Sequence, residues 1–160
     1  MAQPADEEEA TRLASSAWGQ VARLFLSQQG QREEVATQLG LHMSDLLSLF
    51  HLQPDHGIAQ RDLAEHWSCD PSWVTSRIDR LEQLGLAERR PSPTDRRVKL
   101  VWLTPLGLER RAAGLAGVGR PPEQLLDLPL EDLRALARVL GELDLPDPTV
   151  IGLRHLPTSH

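Results

Sequence analysis

The sequence contains one cysteine, Cys69, in 160 residues. A lone thiol excludes an internal disulfide framework and a multi-cysteine zinc site. No apolar run approaches the roughly 18 residues that a membrane span needs, so no membrane partner is expected. The opening MAQPADEEEA is acidic and polar and lacks the pattern of a signal peptide, which makes the cytoplasm the expected compartment. There is no G-x-S-x-G, P-loop or dinucleotide fingerprint, and therefore no enzyme and no cofactor are expected. Apart from a weak His51/His56 pair, His42, His51, His56 and His66 do not fall at metal-ligand spacing with carboxylates, and no metal is expected. Internal repeats and low-complexity tracts are also lacking. What remains is 40% apolar and 25% charged, the composition of one ordinary globular domain.

Positive charge is scarce overall, with a net charge of −6, but it is unevenly placed. Residues 1–70 carry −7, residues 71–111 carry +4, and residues 112–160 carry −3. A polyanion responds to local charge, so the acidic total does not exclude nucleic acid.

The basic stretch lies within the most informative part of the chain, Ile58 to Thr104. Leu63, Ala64 and Trp67 share one face of a first short helix. Asp70 then offers an N-cap oxygen, and Pro71 stands at N1, where its missing N–H costs nothing. A second helix buries Val74, Ile78 and Leu81 and stops near Gly85, a good C′ residue. It exposes Ser72, Trp73, Thr75, Ser76, Arg77, Arg80 and Gln83, with only Asp79 and Glu82 as acids. Beyond Gly85 the period falls from 3.6 to 2. Leu86 to Arg90 reads as one strand and Val98 to Leu103 as another, with Pro91 to Asp95 as turn chemistry between them. Arg89, Arg90, Arg96, Arg97 and Lys99 crowd this hairpin. The order helix, turn, helix, basic hairpin predicts a winged helix-turn-helix whose second helix enters a major groove of double-stranded DNA.

The wing resembles that of the multiple antibiotic resistance regulator (MarR) family of bacterial transcription factors. Gly85-Leu86, Arg89, Asp95, Arg97, Leu103-Thr104 and Gly107 stand at the family's spacing, and DLAEHW and SWVTSRIDRLEQLG resemble its scaffold and recognition helices. The resemblance implies a mainly α fold with a small β-hairpin wing, flanked by N- and C-terminal dimerisation helices. It implies a homodimeric regulator, usually a repressor, acting on an inverted repeat. Arg97 is then the side chain that enters the minor groove. Asp95 and Arg89 support the wing, with Asp95 pairing with a wing arginine as one way to do so, and Arg96 meets phosphate. On the recognition helix, Ser72, Thr75 and Ser76 contact phosphates or base edges, and Arg77 or Arg80 reads guanine. The family commonly places an arginine directly after the threonine. Here Ser76 stands there and Arg77 follows, about 100° further round the helix. Trp73 packs either on the DNA backbone or against the scaffold helix. The family's effectors are small aromatic, anionic or lipophilic molecules, and the layout offers Trp18, Met43, Leu47, Phe50 and His51 as a cleft for one. Cys69 reads as a small apolar side chain rather than a redox sensor.

The flanks fit that organisation as a single domain over residues 1–160. Residues 41–104 form the winged module, while 11–40 and 105–143 supply dimerisation helices. Residues 1–10 form a frayed acidic lead-in. One long helix runs from Thr11 to about Leu39, with a modest break where Arg32 interrupts the seam of Trp18, Phe25 and Leu39 and Gly30 weakens the helix. A helix over 41–52 buries Leu46, Leu47, Leu49, Phe50 and Leu52, with His42 or Ser44 as its cap. After the wing, Thr104-Pro105 opens a helix to about Val118, its end weakened by Gly114, Gly117 and Gly119. A last helix from about Pro129 to Leu143 aligns Leu133, Leu136, Leu140 and Leu143, followed by an irregular tail over 144–160. Apolar seams on terminal helices point to a second copy as the partner. A winged helix used only for protein–protein assembly, without DNA binding, is the alternative.

Overall fold

The computed structural model describes residues 4–67 and 69–144; the expected tail beyond Asp144 lies outside them. The chain begins with helix α1, Pro4–Ser27, followed by α2, Gln29–Gln38. The first helix thus starts well before Thr11, and the expected lead-in is helical from Pro4. Asp6 and Glu7 lie in its first turn, where negative charge meets the positive end of the helix dipole. The break falls at Gln28, between two separate helices rather than inside one. There the Gln28 N–H turns back to the Phe25 carbonyl at 3.3 Å. Arg32 closes the junction: its side chain donates to the same carbonyl, and its guanidinium lies 4.0 Å above the Phe25 ring.

Helix α3, Met43–Phe50, begins with His42 in the N-cap position but without a side-chain cap bond. Leu46, Leu49 and Phe50 are buried, and Leu52 follows them into the core. Leu47 is 49% exposed, against the expectation that it is buried. It lies one residue from Leu46, about 100° round the helix and off the buried stripe. A short strand β1, Ile58–Ala59, leads directly into α4, Gln60–Trp67, and then into α5, Pro71–Gln83. The wing consists of β2, Ala87–Pro91, and β3, Lys99–Leu103. These make an antiparallel sheet in the order β1-β3-β2, with Ile58 opposite Val101 on one side and Arg89 opposite Val101 on the other. The sequence reading missed β1, because two residues are too few to show an alternation.

Helix α6, Pro105–Val118, returns across the core, followed by α7, Glu123–Leu126, and α8, Leu130–Gly141. The sequence reading did not anticipate α7. Gly114 and Gly117 prove to be points of close approach rather than weak spots. A Cβ on Gly114 would lie 2.4 Å from Leu46 Cδ1, and one on Gly117 would lie 2.7 Å from Val35 Cγ1. Buried Arg111, on the same helix, donates to the carbonyls of Leu52 at 3.1 Å and Phe50 at 3.3 Å. It thereby satisfies acceptors left open where α3 ends. The core is a single cluster built from Leu46, Leu49, Leu63, Val74, Ile78, Leu81, Leu86 and Val101. It lies among α3, α4, α5, α6 and the sheet, directly behind the outward face of α5.

Candidate nucleic-acid interface

The residues of α5 fix its seat from both ends. Asp70 Oδ1 accepts the Ser72 N–H at 2.7 Å, and Pro71 occupies the first turn. Hydrogen bonding from Ser72, first from its side chain and then from this N–H, holds the Asp70 carboxyl below its ordinary pKa. Val74, Ile78 and Leu81 are fully buried. At the far end Leu84 is the C-cap and Gly85 takes φ +69°, a left-handed conformation that glycine adopts without strain.

The opposite face of α5 is open. Ser72, Trp73, Thr75, Ser76, Arg80 and Gln83 are exposed. The Thr75 hydroxyl donates to the Pro71 carbonyl at 3.0 Å and the Ser76 hydroxyl to the Ser72 carbonyl at 3.1 Å. Each retains acceptor capacity outward and can rotate its proton toward a new partner. The Trp73 ring meets Trp67 of α4 edge-on at 5.5 Å, and Trp67 in turn lies 5.3 Å from His51. Half of Trp73 remains exposed.

The two acids of α5 are taken up from behind. The Arg89 guanidinium lies 2.7 Å from Asp79 and hydrogen-bonds Glu82, while its Nε donates to Gln60 Oε1 at 3.1 Å. The Arg89 backbone N–H adds a bond to Glu82 Oε1 at 2.8 Å. One residue of β2 therefore ties the wing to both helices and neutralises the acids that would repel a polyanion.

The wing tip is ordered by its own short side chains. Asp95 Oδ1 accepts the Arg97 N–H at 2.9 Å, and the Val98 N–H donates to the Asp95 carbonyl at 2.9 Å. Asp95 thus supports the loop through backbone; no ion pair to a wing arginine is found among the described residues. Ser92 and Thr94 hydroxyls pair at 3.0 Å. Arg96, Arg97 and Lys99 are exposed and make no ion pair among the described residues, whereas Arg90 is engaged by Glu88 and lies 5.4 Å over the Trp102 ring.

Where the wing meets α6, Thr104 Oγ1 donates to the Gly85 carbonyl at 2.7 Å and accepts the Gly107 N–H at 3.0 Å. A Cβ on Gly107 would stand 1.9 Å from the Leu86 carbonyl oxygen, so only glycine fits there. These contacts are the physical content of the Leu-Thr-x-x-Gly segment.

The structure places two sequence-predicted readers differently from the rest. Arg77 and Arg80 turn toward a buried carboxylate, Asp45 of α3, with Nη2 of Arg77 at 3.7 Å and Nε of Arg80 at 3.6 Å. Sequence reasoning missed Asp45, although a signal was present: Asp45, Leu49 and Leu52 fall at helical spacing, which puts the acid on the buried stripe.

The five residues offered as an effector cleft do not form one site within the protomer. Met43 and Leu47 line a groove of about 230 Å³ with Phe25, Leu26, Gln29, Arg32 and Glu33. Phe50 is instead in the core, beneath Gly114, and His51 faces Trp67. Trp18 stands on α1 with 70% of its surface exposed. Cys69 is half-buried, packs on the core and edges an open hollow with Gln60, Arg61, Ala64, Glu65 and Thr75. Among the described residues no group of three or more His, Cys, Asp or Glu side chains could hold a metal ion, and no helix is long and apolar enough to cross a membrane.

A helix-turn-helix backed by a three-stranded antiparallel sheet with a basic hairpin defines a winged helix. The MarR family profile matches residues 41–99. An uncharacterised HTH-type transcriptional regulator, YdgJ of Bacillus subtilis, is 31% identical over 115 residues, 71% of this chain and 69% of its own length. Among solved structures, YusO from Bacillus subtilis superposes with a TM-score of 0.64 at 27% identity, covering 83% of this chain and 95% of its own. CouR from Rhodococcus jostii RHA1, solved with p-coumaroyl-CoA, gives 0.55 at 27% identity, covering 84% and 95%. The chain belongs to the MarR family of winged-helix transcriptional regulators.

Proposed function

We propose that this regulator binds double-stranded DNA in a sequence-dependent manner as a homodimer, on an inverted repeat, and represses transcription from the cytoplasm by occupying a promoter. The observation that carries the reading is the division of charge around α5. Its acids are engaged by Arg89, while Ser72, Thr75 and Ser76 are exposed, as are Arg96, Arg97 and Lys99 of the wing, which make no ion pair among the described residues. A helix of short hydroxyls followed by a hairpin of exposed cations suits a groove between two phosphate backbones. In this reading Ser72, Thr75 and Ser76 meet base edges or phosphates, Trp73 lies along the backbone, Arg97 enters the minor groove, Arg96 meets phosphate, and Asp95 and Arg89 hold the wing.

The terminal helices support the dimer. Leu13, Trp18, Val21 and Phe25 of α1 and Leu130, Val139 and Leu140 of α8 remain exposed in a single protomer, an apolar area that a second copy would cover. The groove beside Met43 and Leu47, lined also by Arg32, suits a small aromatic or lipophilic anion, and the p-coumaroyl-CoA bound to CouR supports an effector for a protein of this fold.

The test is fluorescence anisotropy with genomic fragments recovered by selection on the purified protein, run across a salt series against scrambled duplexes. Tight, salt-sensitive binding with a preference for the selected sequence is expected. Recovery of no preferred sequence would leave the winged helix as a protein-assembly module.

A further inference from the structure

The acid inside α3 is the least expected group in the fold. Asp45 is 2% exposed, and its Oδ2 has no hydrogen-bond partner among the described residues. A buried carboxylate is costly unless compensated, and an apolar side chain of similar size at this position would pack on Leu49 without that cost. Its compensation comes from α5: Arg77 and Arg80, one helical turn apart, approach it at 3.7 and 3.6 Å. These distances are those of ion pairs without hydrogen bonds. Arg77 consequently keeps only 22% of its side-chain surface, and its guanidinium also lies 5.6 Å from the centre of the Trp73 ring.

On the reading of α5 as the DNA-facing helix, we propose that Asp45 is a positioning residue that determines specificity by withholding two guanidiniums from DNA. Free arginines attract any phosphate and strengthen binding to every sequence alike. Arginines drawn to the edge of α5 leave its centre to Ser72, Thr75 and Ser76, whose short hydroxyls report position over a narrower range. The carboxylate therefore weakens indiscriminate binding more than it weakens binding to the preferred site. The guanine contact falls away as the role of Arg77 and Arg80.

Three proteins decide the matter: the wild type, Asp45→Asn, and the triple variant Asp45→Asn, Arg77→Gln, Arg80→Gln. Each is titrated with the selected site and with a scrambled duplex across a salt series. Asparagine keeps the volume and removes the charge. Asp45→Asn is expected to bind scrambled DNA about tenfold more tightly, with a salt slope steeper by about 1 to 2, and to lose about tenfold in its preference for the selected site. The triple variant is expected to return the slope to the wild-type value. A merely structural Asp45 would move stability and leave slope and preference alone. An Asp45→Asn protein that matches the wild type in both overturns the proposal.

A second measurement needs no variant. The arginine Nε–H resonances of the wild type are followed as the selected duplex is added. Arg97 is expected to shift and Arg77 and Arg80 to stay; equal shifts in all three overturn the tether. If the wild type itself shows no sequence preference, the DNA reading fails and the proposal falls with it. If the wild type discriminates and Asp45→Asn discriminates equally, the proposal alone fails.

Discussion

The two parts of this molecule solve opposite problems. The winged module buries an apolar core of its own, with Leu46, Leu49, Leu63, Val74, Ile78 and Leu81 removed from solvent. Among the described residues the terminal helices α1 and α8 contain no buried side chain, although both are rich in leucine and other large apolar groups. The same periodicity thus gives a finished core in one place and an unfinished surface in the other. Helical amphipathicity states that a face must be covered; it does not state by which chain.

That contrast can be broken by substitution, starting with the core. Leu49→Ala is expected to cost about 3 kcal/mol in urea denaturation, since it opens a cavity in the packed interior. Gly107→Ala is expected to cost about as much, because its methyl must displace the Leu86 carbonyl from which it would stand 1.9 Å. The paired change Trp18→Asp, Val21→Asp on exposed α1 is expected to leave the circular dichroism of the protomer intact while sedimentation velocity reports monomer. If it melts the module instead, the two regions are less independent than their burial indicates.

Within the wing, two arginines sharpen the comparison on a smaller scale. Arg89→Ala removes an ion pair with Asp79 and hydrogen bonds to Glu82 and Gln60 and is expected to cost about 2 kcal/mol of stability. Arg97→Ala is expected to leave the urea midpoint unchanged and to weaken DNA binding about tenfold, with the salt slope flatter by about 1. The smallest effect belongs to Asp70. Its folded pKa is lowered by the bond from Ser72, so its contribution to α5 is full above the ordinary carboxylate pKa and is lost as the pH falls through the lowered value. Asp70→Asn is expected to keep the cap and flatten that acid limb, as read by melting temperature against pH.

Local chemistry was legible in the sequence. Asp70-Pro71 marked the start of α5, Gly85 its end, Thr104-Pro105 the start of α6, and the change of period the hairpin, because caps and turns are decided by neighbours along the chain. Partner choice was not. Asp45 met Arg77 and Arg80 across two helices, Arg89 found Gln60 on α4, and Gly114 and Gly117 admitted Leu46 and Val35, all through contacts distant in sequence. Leu47 was misplaced because an apolar run does not show which member leaves the stripe. The break at Gln28 likewise depends on Arg32 folding back over Phe25, which composition alone does not announce.

A single hydroxyl, that of Thr104, bonds at once to the carbonyl that closes α5 and to the amide that opens α6, while Thr104 itself ends the wing. Three elements therefore share one pivot without slack. Recognition helix, wing and α6 are expected to travel as a rigid block, like the jaw of a calliper, which α6 joins along the chain to α7 and α8. In the proposed dimer, a signal arriving at the terminal helices would then change how far apart two such jaws stand, rather than the shape of either one.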